Sequence, residues 1–289
     1  AIEQGVATVM VSFSSWNGRK MTGNKSLITD VLKERMNFDG FVVSDWNAHG
    51  QVEGCTNASC PQAVNAGLDM YMAPDSWRDI YNSLLKQAKS GEISKERLDD
   101  AVTRILRVKM RLGLFEAGKP SSRPLAGQWS LLGHKDHRAV AREAVRKSLV
   151  LLKNEGSILP IKPGARILVA GDAADDIGRQ AGGWTLTWQG TGVTNANFPG
   201  ATSIWKGIAD AAQASGGSAQ LSPDGNFAER PDAAIVVFGE TPYAEFQGDL
   251  KNLQLRSELR KPYETMRKLK AQGIPVVAVM VTGRPLFVN

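Results

Sequence analysis

Two carboxylates stand where an α/β protein would place chemistry. Asp45 directly follows the apolar run Phe41-Val-Val-Ser44. A carboxylate at the carboxyl end of a buried parallel strand is where barrel enzymes put catalytic groups. Trp46 comes next, and an indole can stack its apolar face on a sugar ring. A second concentration, Gly239-Glu240-Thr-Pro-Tyr-Ala-Glu245-Phe-Gln-Gly-Asp249, follows the run Ala233–Phe238. Its acids, glycines and tyrosine are more than a loop needs for solubility. Carboxylates from two separate segments suit glycoside hydrolysis, where one attacks or stabilises the anomeric carbon and the other protonates the leaving oxygen; retaining enzymes hold the two about 5 Å apart. Gly182-Gly-Trp184-Thr-Leu-Thr-Trp188-Gln-Gly190 sets two tryptophans among polar neighbours, which suits an exposed stacking wall. Each feature has a plainer alternative. Asp45 could cap a turn, the acidic loop could be merely solvated, and the tryptophans could be core residues.

Other chemistries find less support. His49, His134 and His137 lack the spacing of a zinc site, so no metal is expected. Gly171-Asp172 lacks the glycine pattern that cradles a phosphate, and there is no Gly-x-Ser-x-Gly elbow. The net charge of +6 is spread along the chain, with Lys and Arg alternating with acids, whereas a nucleic-acid footprint is clustered. No run approaches the roughly 18–20 apolar residues of a membrane-spanning helix. Cys55 and Cys60 share a Gly/Asn/Ser-rich loop, and their spacing suits a small disulfide in an oxidising compartment. Two free thiols are the alternative; a metal would need two further ligands, and only His49 is near.

The elements that must position these residues read as α/β. The chain has 289 residues, 42% of them apolar and 22% charged. That length suits one large barrel or two domains. Thr8–Phe13, Phe41–Ser44 and Leu68–Met72 read as buried parallel strands. Helical spacing predicts helices over Ser26–Met36, over Ser76–Lys89 with Trp77, Ile80, Leu84 and Leu85 inward, and onward from Ser94 as N-cap to Leu112. Residues 114–134 lose periodicity and read as a linker. A helix over Asp136–Leu152 then precedes a second α/β pattern, with strands at Arg166–Ala170, Ala219–Leu221, Ala233–Phe238 and Pro275–Val281 and helices at Ser203–Ala214 and Ser257–Ala271. The expected domains are therefore 1–113 and 135–289, the second a doubly wound sandwich. Three strands cannot close an eight-stranded barrel, and both ends read as cuts through a longer protein.

These residues together resemble glycoside hydrolase family 3. Gly40-Phe-Val-Val-Ser-Asp45-Trp46 is similar to that family's nucleophile motif. Ala66–Met70, Leu98–Lys109, Ala141–Asn154, Gly183–Gly190 and Gly239–Glu245 follow in the same order, in the manner of its two-domain β-glucosidases and β-glucan exohydrolases. The resemblance implies the C-terminal part of a (β/α)8-type barrel followed by an α/β sandwich, C-terminally incomplete. It implies retaining exo-hydrolysis of terminal β-D-glucosyl residues from β-glucosides and β-gluco-oligosaccharides, without a cofactor, in a periplasmic or secreted enzyme. Asp45 would be the nucleophile and Glu245 the acid/base, with Glu240 as the second choice. Trp46 and Trp188 would sandwich the leaving sugar, and Met72 would touch the bound glucose. Two departures stand out: Phe13 replaces a tyrosine beside the nucleophile, and Gln51 replaces an arginine shortly after it. The family's Lys-His pair that grips glucose would lie before residue 1, so little activity is expected of this chain alone. A β-xylosidase and a non-catalytic carbohydrate-binding module are the competing readings.

Overall fold

Short apolar runs form the sheets, and glycines let their backbones meet. The computed structural model describes residues 1–254 and 260–287. The chain divides into two compact units, 1–142 and 143–289.

The first unit opens with β1 (Thr8–Val11), followed by a small hairpin of β2 (Ser15–Trp16) and β3 (Arg19–Lys20). The hairpin's Asn17-Gly18 turn has both residues at positive φ, the strongest short hairpin signal in a sequence. Strand β4 (Phe41–Ser44) then pairs with β1 in parallel, Val11 opposite Ser44. Gly40 enters β4 where a Cβ would lie 2.2 Å from the Ala7 carbonyl oxygen, so only glycine fits. The expected third strand, Leu68–Met72, forms no full ladder. It meets β4 only through the Val43–Met70 bridge and a few backbone bonds, among them Ser44 N–H to Met70 O.

The Ser26–Arg35 helix winds as a π-helix, with Asn24 accepting the Leu27 N–H at its start. Three α-helices follow: α1 (Pro61–Asn65), α2 (Trp77–Ser90) and α3 (Lys95–Arg111). Ser94 caps α3 as expected, accepting the Arg97 N–H at 3.2 Å, the usual way a hydroxyl satisfies a first-turn donor. Helix α2 buries Ile80 and Gln87, two turns apart, and leaves Trp77 and Leu85 exposed. The expected inward face is thus too wide. Gln87 reaches in to donate to Ser59 Oγ at 2.9 Å.

A buried charge cluster ties this unit together. The Asp69 side chain is fully buried; its Oδ1 pairs with Lys33 at 2.7 Å and with Arg97, and its Oδ2 accepts the Val42 N–H at 2.8 Å. The Asp69 N–H donates back to Val42 O. Burial pulls the Lys33 ammonium below its ordinary pKa, and Asp69 opposes that shift, as desolvation and an opposite charge should. Arg104 donates to the carbonyls of Phe38 and Gly40, anchoring α3 to the entrance of β4. Asp69 stands three residues before Met72 and Val42 three before Asp45, so this cluster sets the alignment of both segments.

Helix α4 (Lys135–Ser148) crosses the division between the units. It stops short of the expected Leu152; Leu149–Leu152 leave the helix and are exposed. In the second unit, β5 (Arg166–Ala170) leads through the short α5 (Ile177–Ala181) and α6 (Ile204–Ala214) to β6 (Ser218–Leu221). Strand β7 (Ala233–Gly239), α7 (Arg260–Ala271) and β8 (Val276–Val281) complete it. The four strands form an all-parallel sheet in the order β6-β5-β7-β8.

Alternation along the strands sorts the two faces of this sheet. Leu168, Ala170, Ala234 and Val236 pack with Leu269 of α7, while Val169, Ile235 and Val237 pack with Ile204 and Ile208 of α6. Every residue of β7 is buried, which explains its unbroken apolar run. Of the expected helix Ser257–Ala271, residues 257–259 lie outside the described residues. Strand order reverses between β5 and β7, and crevices at such a switch point are where open α/β sheets bind ligands. The loops beginning Gly171-Asp172 and Gly239-Glu240 leave from there.

Candidate active site

In the first unit Asp45 leaves the carboxyl end of β4, its N–H bonded to Val11 O of β1. Both carboxylate oxygens are anchored: Oδ1 accepts the Trp46 N–H at 2.6 Å and Oδ2 the Phe13 N–H at 3.2 Å. The group is therefore fixed in orientation. The departure from tyrosine to Phe13 leaves a backbone contact to Asp45 in place. Trp46 is 59% exposed, an uncommitted indole face beside the acid. Asn47 turns the chain at φ 52°, and its N–H donates to Met72 O at 2.9 Å. The buried Ser44 hydroxyl accepts the Met72 N–H at 2.7 Å. Asp45, Trp46 and Met72 are thus gathered at one strand end.

The loop that follows contains the Cys55–Cys60 disulfide. His49, fully buried, shares a 2.9 Å hydrogen bond with Asn57 O through Nε2 and meets the Tyr71 ring edge-on. Tyr71 donates its hydroxyl to Cys60 O, and burial raises its phenol far above its ordinary pKa, because the charged form loses its hydration. His49 therefore packs as a structural residue. Gln51 is exposed. Among the described residues no group of three His, Cys, Asp or Glu side chains could hold a metal ion.

In the second unit Glu245 is the centre of a cage. Trp188 Nε1 donates to its Oε2 at 2.7 Å, and Trp184 Nε1 to both oxygens at 3.0 and 3.2 Å. The Trp188 indole, aided by Trp184, holds the carboxyl below its ordinary pKa, since these donors favour the ionised form. The backbone is held too: Gln189 donates to Glu245 O at 3.2 Å and accepts the Ala244 N–H at 2.7 Å. Three bulky residues here, Trp184, Leu186 and Phe246, adopt φ between 59° and 69°. Such strain collects at functional sites. The ring centres of Trp184 and Trp188 lie 6.1 Å apart, and those of Trp188 and Phe246 6.0 Å. All three rings are exposed, so the acid stands within an open aromatic surface.

Glu240 sits differently. It is buried, accepts from Thr282 Oγ1 at 2.8 Å and pairs with Arg284 at 3.3 Å. A cleft of about 220 Å³, lined in part by Arg179, Gly183, Glu240, Tyr243 and Thr282, opens at the carboxyl ends of β7 and β8. Arg179 of α5 spans the switch point, bonded to Gly239 O and paired with Asp172 and Asp176. Sequence reasoning misses Trp184, Gln189 and Arg284 as partners of this loop. The glycine-flanked Trp184–Trp188 segment is a signal for the first two, and Arg284 has none.

Residues 1–108 match the Glycosyl hydrolase family 3 N terminal domain, and residues 149–289 match the Glycosyl hydrolase family 3 C-terminal domain. The chain belongs to glycosyl hydrolase family 3. It is 30% identical over 308 residues to a lysosomal beta glucosidase of Dictyostelium discoideum, covering 97% of this chain and 36% of that protein. It is 30% identical over 330 residues to a periplasmic beta-glucosidase of Salmonella typhimurium, covering 99% of this chain and 41% of that protein. The crystal structure of an exo-1,3/1,4-beta-glucanase (EXOP) from a Pseudoalteromonas species matches with a TM-score of 0.97 at 53% identity, over 100% of this chain and 36% of that one. This chain therefore spans well under half the length of these family 3 relatives. Its mixed α/β architecture, with parallel sheets in both units, matches that crystal structure over the aligned residues.

Proposed function

We propose that this chain carries the catalytic carboxylates of a retaining family 3 glycosidase that removes terminal β-D-glucosyl residues from β-glucosides and β-gluco-oligosaccharides. The observation that carries this reading is Asp45: a carboxylate at a parallel strand end, both oxygens anchored on backbone N–H groups, with an exposed indole beside it. The named activities of the relatives, β-glucosidases and an exo-1,3/1,4-β-glucanase, support the substrate class.

Asp45 attacks the anomeric carbon while Glu245, in the molecules whose carboxyl carries its proton, gives that proton to the glycosidic oxygen, whose bond to the carbon breaks. The indole donors that favour the ionised form also suit Glu245 to its second task as base. A water then loses a proton to the Glu245 carboxylate and attacks the same carbon. The ester to Asp45 breaks, glucose leaves, and both acids return to their starting states. Glu245 is preferred to Glu240 because it is exposed and held by the N–H edges of two exposed indoles, whereas Glu240 is buried and ion-paired. Trp46, Trp188 and Met72 are assigned to the sugar. Residues 1–113 are assigned to the nucleophile domain, 114–134 to a linker and 135–289 to the acid/base domain. The Cys55–Cys60 disulfide and the relative named as periplasmic favour a periplasmic or secreted protein, since disulfides persist in oxidising compartments.

Glu245→Gln in the full-length native protein tests the acid/base role. For β-glucosides with poor leaving groups kcat/KM falls by about 10²–10⁴-fold, the usual worth of a general acid. For 2,4-dinitrophenyl β-glucoside, which needs no protonation to depart, bond cleavage persists and added azide speeds release of the sugar as glucosyl azide. The basic limb of the pH profile, which follows loss of the Glu245 proton and which the indole donors displace to lower pH, disappears. An equal fall for both leaving groups would remove Glu245 from this role.

A further inference from the structure

We infer that Arg284 is the positioning residue for the acid/base loop, fixing where Glu245 stands without touching the sugar. This deepens the proposed function and rests on Glu245 being the acid/base. The loop leaves β7 at Glu240 and folds back by Gly248, whose N–H bonds to Ala244 O at 2.8 Å. Arg284, just beyond β8, holds both ends. Its Nη1 donates to Gly248 O at 2.5 Å, and its Nε faces Glu240 Oε2 at 3.3 Å and Tyr243 Oη at 2.6 Å. Its guanidinium also lies 3.8 Å from the centre of the Tyr243 ring, a cation–π contact at the middle of the loop.

Tyr243 in turn is approached closely by two glycines. A Cβ on Gly183 would lie 2.1 Å from Tyr243 O, and one on Gly248 would lie 2.6 Å from the ring. Gly183 belongs to the same segment as Trp184 and Trp188, so the Tyr243 backbone packs against the segment that supplies both indole donors to Glu245. From Tyr243 it is two residues to Glu245. Arg284 thus fixes the loop on its inner side, and Gln189, Trp184 and Trp188 fix it on its outer side. The charges are also interdependent. Glu240 Oε1 and Arg284 Nη2 are buried and have no hydrogen-bond partner among the described residues. Removing the guanidinium leaves the Glu240 carboxylate buried without its cation, a state a loop relieves by moving.

The expected signature is a loss of proton donation that leaves the rest of catalysis intact. In the full-length native protein, Arg284→Gln lowers kcat/KM for β-glucosides with poor leaving groups by about ten- to a hundred-fold, the scale for a misplaced catalytic group. It leaves 2,4-dinitrophenyl β-glucoside within about two-fold, since that step makes little use of the acid. Free guanidinium at millimolar concentration restores part of the loss in Arg284→Ala. Tyr243→Phe, which deletes one hydroxyl and keeps the ring, gives a smaller loss of the same pattern, and it decides the matter if the Arg284 variants do not fold. If Glu245→Gln shows the leaving-group pattern while Arg284→Gln lowers both substrates equally or neither, Arg284 is only structural and the Glu245 assignment stands. If Glu245→Gln itself lacks the pattern, both assignments fall together.

Discussion

Asp45→Asn in the full-length native protein is expected to lose β-glucoside turnover by about 10⁴-fold or more, the scale seen when a catalytic group is removed. The loss should be the same for good and poor leaving groups, because the amide cannot attack the anomeric carbon whatever departs. Sugar binding should survive, since Trp46 and Met72 are untouched and the new amide oxygen can still accept the backbone N–H of Phe13 or Trp46. Glucose quenching of tryptophan fluorescence measures that separately. Near-normal turnover would show that Asp45 only caps the turn after β4. The contrast with Glu245→Gln, which spares activated substrates, separates nucleophile from acid.

Asp69→Asn is expected to be among the most destabilising single changes in the first unit. The substitution takes the fully buried carboxylate from Lys33, with 3% of its side chain exposed, and from the mostly buried Arg97, and leaves them only the partly exposed Asp100, at 3.6 and 2.6 Å. Breaking a buried pair from one side costs about 3–5 kcal/mol when the remaining charge is uncompensated, and the pairing of both cations with Asp100 sets the loss toward the lower end of that range. Adding Lys33→Met should recover part of the loss, since one buried cation is then gone. Urea titration of the native protein and its variants reads both effects. A loss below about 1 kcal/mol would place Asp69 with ordinary surface ion pairs. The consequence for function is register: the same carboxylate holds Val42, three residues before Asp45, so folded survivors should also lose activity.

Much of the scaffold can be read in advance because burial on both faces leaves a plain mark. The unbroken apolar runs of β4 and β7 announce strands, and the acids following them stand at the carboxyl ends of those strands. Ser94 and Ser203 mark the starts of α3 and α6 because each hydroxyl accepts an N–H three residues on. Leu68–Met72 looks like an equal strand, yet only Met70 bridges β4, since apolar composition does not reveal how many ladder bonds a partner offers. Helical spacing places Trp77 inward, but the buried seam of α2 is narrow and runs through Ile80 and Gln87.

The supports of the site are the least legible. Lys33 and Asp69 lie 36 residues apart, and Arg284 meets Glu240 across 44, so no local spacing links them. An arginine in a loop after a strand has no periodicity to betray a partner. The Trp184–Trp188 segment reads as a stacking wall. Its second task, donating two indole N–H groups to Glu245, depends on a backbone turned to positive φ at Trp184 and Leu186. Neither residue type advertises that conformation.

In the proposed reaction Asp45 becomes covalently joined to the sugar. Incubating the full-length native protein with 2,4-dinitrophenyl 2-deoxy-2-fluoro-β-D-glucoside slows both steps but lets the activated leaving group depart, so the glycosyl-enzyme accumulates. Peptide mass mapping should then find one fluoroglucosyl group on the peptide that contains Gly40–Trp46, with fragmentation placing it on Asp45. A label on any other carboxylate, or burst release of dinitrophenol with no covalent sugar, would contradict the account.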